Sequence, residues 1–385
     1  MSVRIEDRLV SLDAFRGFTI AGMVLVNNPG DWKQLYSQLA HAPWNGWTFT
    51  DWIFPFFLFI VGASMVFSLA HKPIGAGQGP AVVLGLWRRA AVIILIGLGL
   101  NLVPAFSLES LRVPGVLQRI GLCILIAAPL VVGFGWRVWA GAIGVLFTAY
   151  ALPMLLWPVA GADGVVAAGR LEPGLDFAAH LDRWLLSGHL WAQSRTWDPE
   201  GLFSTLPAVA TLLFGALAGR WLLQPLGAAE KTLWMVLAGL LLVWLGAMLD
   251  VLLMPINKPL WSVSYSVFMA GWAAVVFGAF YWFIDASGRP ALMQAARRAL
   301  LPFTVYGMNA LFIFAFSGLV AKALGFVKLP QADGSSASLK ALLFAPLRAL
   351  PVEPQMASLL YALAFNLLML AVAWFMWRRR WFVKV

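Results

Sequence analysis

The sequence predicts an all-α protein, a polytopic bundle of transmembrane helices. Three observations carry that prediction. Of 385 residues, 61% are hydrophobic and 11% are charged, whereas an ordinary soluble domain carries about 25% charged residues. The mean hydropathy of +0.82 is more apolar than a water-soluble chain of this size could hide. The apolar residues also gather into about ten runs, each near the length that a membrane-crossing helix needs. These features exclude a soluble enzyme, a disordered chain and a secreted disulfide scaffold. Cys123, the one cysteine, lies in an apolar run, so no disulfide forms within the chain. A net charge of +10 would suggest a nucleic-acid partner for a soluble protein. No basic folded module exists here, so nucleic acid is set aside and the charge is read as membrane topology.

In order, the runs are Leu9 to Asn28, Asp51 to Ala70, Arg88 to Phe106, Val116 to Phe134 and Val138 to Val159. They continue with Leu202 to Leu223, Thr232 to Met254, Trp261 to Ile284, Ala299 to Leu324 and Gln355 to Trp377. The first opens with Glu6 and Asp7 beside Arg4 and Arg8, and Asp13 and Arg16 interrupt it. No small-residue cleavage site follows, so it reads as a span and not as a secretory signal. With the N-terminus inside, 16 of 27 basic residues and five of 17 acidic residues fall on the inner side. That side includes Arg88, Arg89, Arg297, Arg298 and the terminal Arg378, Arg379 and Arg380, and the asymmetry lies in short loops. Both termini are therefore expected in the cytoplasm. The chain, 1–385, reads as one transmembrane domain. Two longer loops, Ala160 to Gly201 and Gly325 to Pro354, face outward. The first is long enough for a lid or an acceptor-binding surface.

Polar residues at membrane depth are costly, and they mark either structural pairs or function. Asp13 and Arg16, three residues apart, are expected to pair across one helical turn. The outward loop after the first run is different. It carries Asn27, Asn28 and Asp31, then His41-Ala42-Pro43-Trp44-Asn45-Gly46-Trp47, then Asp51. Histidine is the side chain suited to proton transfer near neutral pH, and Pro43 and Gly46 fix a turn beside it. Trp44 and Trp47 suit either the membrane interface or the wall of a sugar site. Arg112 and Arg119, seven apart, are expected on one helical face, suited to phosphate or carboxylate. Snorkelling to lipid head groups is the other reading for Arg112. Asp198 is expected to cap the sixth helix, with Pro199 in its first turn. Trp261 and Tyr265 open the eighth run, and Tyr306, Asn309 and Ser317 lie inside the ninth as helix-bridging groups. His71 ends the second span beside Lys72, and His180 and His189 lie in the long loop. No ligand spacing for a metal is present, and Gly75, Gly77 and Gly79 follow no strand, so they form no dinucleotide fingerprint.

Several long blocks resemble a known family. SLDAFRGFTIAGMVLVNN and HAPWNGWTFTDWIFPFFLFIVGAS are followed by RVPGVLQRIG, WDPEGLFSTLPA, NKPLWSVSYS, YGMNALFIF and WFVKV. In that order they resemble the heparan-α-glucosaminide N-acetyltransferase family, which includes the bacterial NagX-type inner-membrane proteins. The resemblance covers nearly the whole chain. The chain is read as lacking the outward N-terminal domain and extra first span of the lysosomal enzyme.

The resemblance implies a transferase that carries an acetyl group from cytosolic acetyl-CoA to a sugar amine, with His41 as the active histidine and Asn27 as the nearby functional asparagine. Asp51 is then the candidate to orient His41. His41 either takes the amine proton directly or carries the acetyl group transiently. Arg88, Arg89, Arg297 and Arg298 are candidates for the phosphates of CoA. Arg112, Gln118 and Arg119 are candidates along its path. Trp44, Asn45, Asp198, Trp261, Tyr265 and Asn309 are candidates for the acceptor. A homodimer is a family-level expectation. The principal rival is an inner-membrane transporter of amino sugars or N-acetylglucosamine, which would also use polar groups on broken helices; another is an acyltransferase for a cell-envelope glycan.

Overall fold

The computed structural model describes residues 9–70, 77–331 and 334–383. Arg4, Glu6, Asp7, Arg8, His71, Lys72, Gly75 and Lys384 lie outside the described residues. Helix α1 spans Val10–Val26 and ends where Asn27, Asn28, Pro29 and Gly30 break its periodicity. Then come α2 (Phe49–Ala70), α3 (Gly79–Leu102), α4 (Val116–Gly133) and α5 (Trp136–Leu156). The long loop expected to face outward holds an antiparallel pair, β1 (Val159–Ala160) with β2 (Val166–Ala167), and α6 (Phe177–Leu185). Next are α7 (Thr205–Leu222), α8 (Ala228–Leu252) and α9 (Val263–Tyr281), whose end loosens into a π turn over Trp282–Ala286. Short helices α10 (Pro290–Ala299) and α11 (Leu301–Met308) precede α12 (Ala310–Phe326). A hairpin of β3 (Lys328–Pro330) and β4 (Ser336–Ser338), then α13 (Leu339–Arg348), lead to α14 (Pro354–Arg378).

The fold is therefore all-α, with two minimal hairpins among the described residues, in the loops after α5 and after α12. Among the described residues eight helices are long and apolar enough to cross a membrane, and the bent pair α11–α12 makes a ninth crossing if taken as one span. The 17-residue helices α1 and α12 sit at the lower length limit for a crossing. Each of the ten apolar runs thus meets helix, with two corrections. The run from Ala299 to Leu324 is not one rod, because α11 and α12 meet at 85°. Asn309 occupies the break, where its Nδ2 donates to Trp381 O at 3.0 Å and its Oδ1 accepts from Val383 N at 3.0 Å. Helix α3 also starts at Gly79, nine residues before the expected Arg88.

Packing separates an inner from an outer ring. The most apolar stretches of α2 and α7 are 67% buried, against 17% for α3 and α8, whose flanks are left for lipid. Small residues let the inner helices approach. A Cβ on Gly62 would fall 1.9 Å from Leu212 O, and one on Gly215 would fall 1.8 Å from Phe59 O, so α2 and α7 touch backbone to backbone. Helix α1 meets α11 the same way: Gly17 lies against Phe303 O and Gly307 against Asp13 O, so the two run antiparallel. The expected Asp13–Arg16 pair forms at 2.9 Å, and Arg16 also reaches Gly307 O and Ser64 Oγ.

These contacts place the chain ends. Asp13 near the start of α1 lies by Gly307, and Asn309 holds the segment after α14, so both ends share one face. On the other face Lys322 Nζ donates to Leu100 O and Val103 O at the end of α3. Helix α12 therefore runs from the face of the chain ends to the opposite one. Gly17→Ala is expected to lower the unfolding midpoint in detergent, costing about 1–3 kcal/mol or more by overpacking. Gly99 is the control, because a Cβ added there would meet nothing within 4 Å: Gly99→Ala should leave the midpoint unchanged or raise it.

Candidate active site

The site is built where the α1–α2 loop meets the start of α2, on the face away from the chain ends. Asp51 lies in the first turn of α2, with its side chain 1% exposed. Its Oδ1 is 2.5 Å from His41 Nδ1. Its Oδ2 accepts from Ala42 N at 3.1 Å and Thr48 N at 3.0 Å. The Thr48 hydroxyl donates to Ala40 O at 2.6 Å, which ties the loop shut on the far side of the carboxylate. Asp51 thus gathers the loop around itself. Its own carbonyl accepts from Tyr265 OH at 2.6 Å, so α9 fixes the same turn. With Nδ1–H donated to Asp51, the Nε2 of His41 carries a lone pair, and the side chain is 47% exposed. That is the arrangement of a general base: one ring nitrogen oriented by a carboxylate, the other free to take a proton.

The loop between α8 and α9 grips this turn from below. Gly46, with φ +94°, donates its N–H to Ile256 O at 2.7 Å. Asn257 Nδ2 donates to Trp44 O at 3.1 Å and to Asn45 Oδ1 at 3.0 Å. Sequence reasoning assigns no role to Asn257 or Thr48; an Asn beside Lys258 and Pro259 at the end of a span is the available signal. The Trp44 indole donates to Leu171 O at 2.9 Å, and its ring meets Trp197, which meets Trp191. These three half-buried rings join the His41 loop to the outward loop.

An ion cluster fastens that outward loop. Arg112 Nε donates to Asp198 Oδ2 at 2.9 Å, and its Nη2 reaches Asp198 Oδ1 at 2.5 Å and Glu200 Oε2 at 2.6 Å. Asp198 therefore pairs with Arg112 and does not cap a helix; α7 starts later, at Thr205. Arg112 likewise does not snorkel. It precedes α4, so the helical-face argument linking it to Arg119 does not apply, yet both reach the segment 198–204. Arg119 Nη2 donates to Gly201 O at 2.8 Å and Ser204 Oγ at 2.5 Å, and its guanidinium lies 5.1 Å from the centre of the Trp261 ring. Gln118 points elsewhere, against Gly97 of α3 and Gly115.

The electrostatics of the loop are uneven. Burial opposes the Arg112 charge, but Asp198 and Glu200 hold it protonated beyond its ordinary range. Burial also opposes ionisation of Glu200, yet Arg112, Lys258 and Arg119 outweigh it and hold that carboxyl low. At Asp182 and Asp176 the nearby cations, Arg119 and Arg183 respectively, do not outweigh burial. Burial raises Asp182 to about 7, against its bond from Leu202 N, and raises Asp176 to about 6.

The remaining candidates are scattered. Asn27 is exposed at the end of α1. Trp261 and Tyr265 are fully buried beneath Asp51, with their polar atoms bonded to Thr211 Oγ1 and Asp51 O. Arg88, Arg89 and Arg298 are exposed, while Arg297 bonds Asp285 and Ile284 O. Asn309 lies on the opposite face, so the structure does not bring it to His41. Among the described residues no group of three His, Cys, Asp or Glu side chains is placed to hold a metal.

Fold and site together define a polytopic helical membrane protein with a carboxylate-oriented histidine at one face. A family model for the heparan-alpha-glucosaminide N-acetyltransferase catalytic region matches residues 8–249, and the chain belongs to that family. It is 29% identical over 365 residues to the human heparan-alpha-glucosaminide N-acetyltransferase, covering 80% of this chain and 52% of that protein. The mouse protein of the same name is 27% identical over 361 residues, covering 80% and 53%. The chain thus spans about half the length of these curated relatives.

Two outcomes follow for the loop. Arg112→Ala leaves Asp198 and Glu200 buried without their cation and should cost about 3–5 kcal/mol, read as a fall in the unfolding midpoint. Asp182 contributes a pH dependence of definite sign. Its folded pKa is raised, so the stability it permits is fully present below about pH 4 and is lost as pH rises through about 7. Asp182→Asn cannot ionise, so the midpoint of the variant should gain on the wild type progressively between those limits.

Proposed function

We propose that this chain is a transmembrane N-acetyltransferase that moves an acetyl group from acetyl-CoA to the amine of glucosamine or of a glucosamine-containing sugar. The His41–Asp51 dyad, in a chain of this family, is the observation that carries the reading. The thioester is already activated, so the protein must deprotonate the amine and stabilise the tetrahedral oxyanion. The amine nitrogen attacks the thioester carbonyl carbon as His41 Nε2 takes the departing proton. The oxyanion then collapses, the C–S bond breaks, and the imidazolium returns its proton to the thiolate. Asp51 keeps Nδ1 protonated and stabilises the imidazolium. Asn27 is assigned to the oxyanion, where one amide donor is worth about 3 kcal/mol. The direct route needs only one proton transfer each way. An acetyl group carried on His41 is the two-step alternative.

The dyad lies away from the chain ends. With those ends in the cytoplasm, as the basic residues favour, the amino sugar is met on the periplasmic side of a bacterial inner membrane. Acetyl-CoA arrives from the other face, where Arg88, Arg89 and Arg298 are exposed for its phosphates. Trp44, Trp191 and Trp197 are the aromatic surface offered to a sugar ring near His41.

Purified protein given acetyl-CoA and glucosamine should release free thiol and form N-acetylglucosamine, and His41→Ala should lower the rate by about 10²- to 10⁴-fold. Asp51→Asn should also slow it, because an amide in place of the carboxylate favours the wrong imidazole tautomer. An acetyl group found on His41 without acceptor would select the two-step route. Sugar uptake into liposomes with no thiol release would favour the transporter.

A further inference from the structure

Arg119 is a buried cation with more donors than the chain satisfies. It is 1% exposed. Its Nη2 is used by Gly201 O and Ser204 Oγ, but neither Nε nor Nη1 meets an acceptor from the protein. A buried hydrogen-bond donor left unmatched is costly, the more so when charged, so the arrangement calls for a further oxygen. The guanidinium is held in place from two sides, by Gly201 and Ser204 at the foot of the outward loop and by the Trp261 ring at 5.1 Å. The position is also tied to the dyad. Trp261 meets Tyr265 edge-on at 5.4 Å, and Tyr265 OH donates to Asp51 O at 2.6 Å.

The charge count sets what kind of oxygen fits. Arg112, Arg119 and Lys258 face Asp198, Glu200 and Asp182, three cations against three carboxyls, the last of which ionises near neutral pH. A phosphate or carboxylate would unbalance that cluster, whereas a neutral carbonyl or hydroxyl would not. We propose that Arg119 is a substrate-binding residue whose Nε and Nη1 hold neutral acceptor oxygens of a reactant drawn beneath the His41–Asp51 dyad. Resting on the function proposed above, those oxygens belong to the amides of the CoA thiol arm or to the hydroxyls of the amino sugar.

The test is calorimetric titration of the full chain in detergent with CoA, with adenosine 3′,5′-bisphosphate and with glucosamine, for wild type and Arg119→Lys. Lysine keeps the charge but cannot supply both nitrogens. The expected result is a loss of about tenfold or more for CoA, if the oxygens are amide carbonyls, or for glucosamine, if they are hydroxyls. The affinity for the bisphosphate, which has no thiol arm, should hold, as should the unliganded unfolding midpoint. Affinities all within about twofold of wild type would assign the spare donors to buried water and overturn the proposal. A parallel fall in all affinities and in the midpoint would reduce Arg119 to a structural tie and overturn it equally. Should Arg119→Lys not fold, infrared spectra of wild type with CoA carrying ¹³C amide carbonyls provide the second reading: a shift to lower frequency on binding supports the carbonyl arm, and an unshifted band removes it. Wild type that binds neither CoA nor glucosamine would overturn the proposed function itself, a result distinct from wild-type binding that survives the substitution.

Discussion

Asp51 is the fixed point around which the site-bearing face is organised. A carboxylate at the head of a membrane helix is favoured by the helix dipole, and its two oxygens collect the His41 ring and the backbone N–H groups of Ala42 and Thr48. The α1–α2 loop therefore does not need a core of its own. The carbonyl of the same residue receives Tyr265, so one residue ties together α2, α9 and the loop. Removing the anion would release both the imidazole and the turn that presents it.

The outward loop is held by a different kind of force. Its Trp44, Trp191 and Trp197 rings supply contact area but little direction, while Arg112, Asp198 and Glu200 supply direction through three short bonds. A buried ion cluster of this sort stabilises weakly compared with an apolar replacement, but it sets geometry strictly. Here the geometry matters because Gly201 and Ser204, just beyond Glu200, are where Arg119 takes two of its bonds.

Much of this is legible in the sequence, for physical reasons that differ by residue. The apolar runs suffice to find the long helices because lipid leaves the backbone few alternatives to helix. His41 and Asp51 stand out because a turn-forming Pro43 and Gly46 bring two residues ten apart within reach. The partnership of Arg112 with Asp198 is not legible. The two lie 86 positions apart, and each has a sufficient local explanation, snorkelling for one and helix capping for the other. The break at Asn309 is hidden as well. No proline marks it, and the flanking residues are apolar on both sides; the 85° turn is made by tertiary contacts, with Gly307 seated on Asp13 and Asn309 bonded to distant backbone.

That break has a bearing on how the protein is made. Among the described residues the amide of Asn309 bonds to partners 72 and 74 positions later in the chain. During synthesis α11 can seat on α1, which is made earlier, but the Asn309 side chain must wait for the segment after α14 before its amide is matched. The last bonds at this bend are therefore made only once the segment after α14 has folded back onto it.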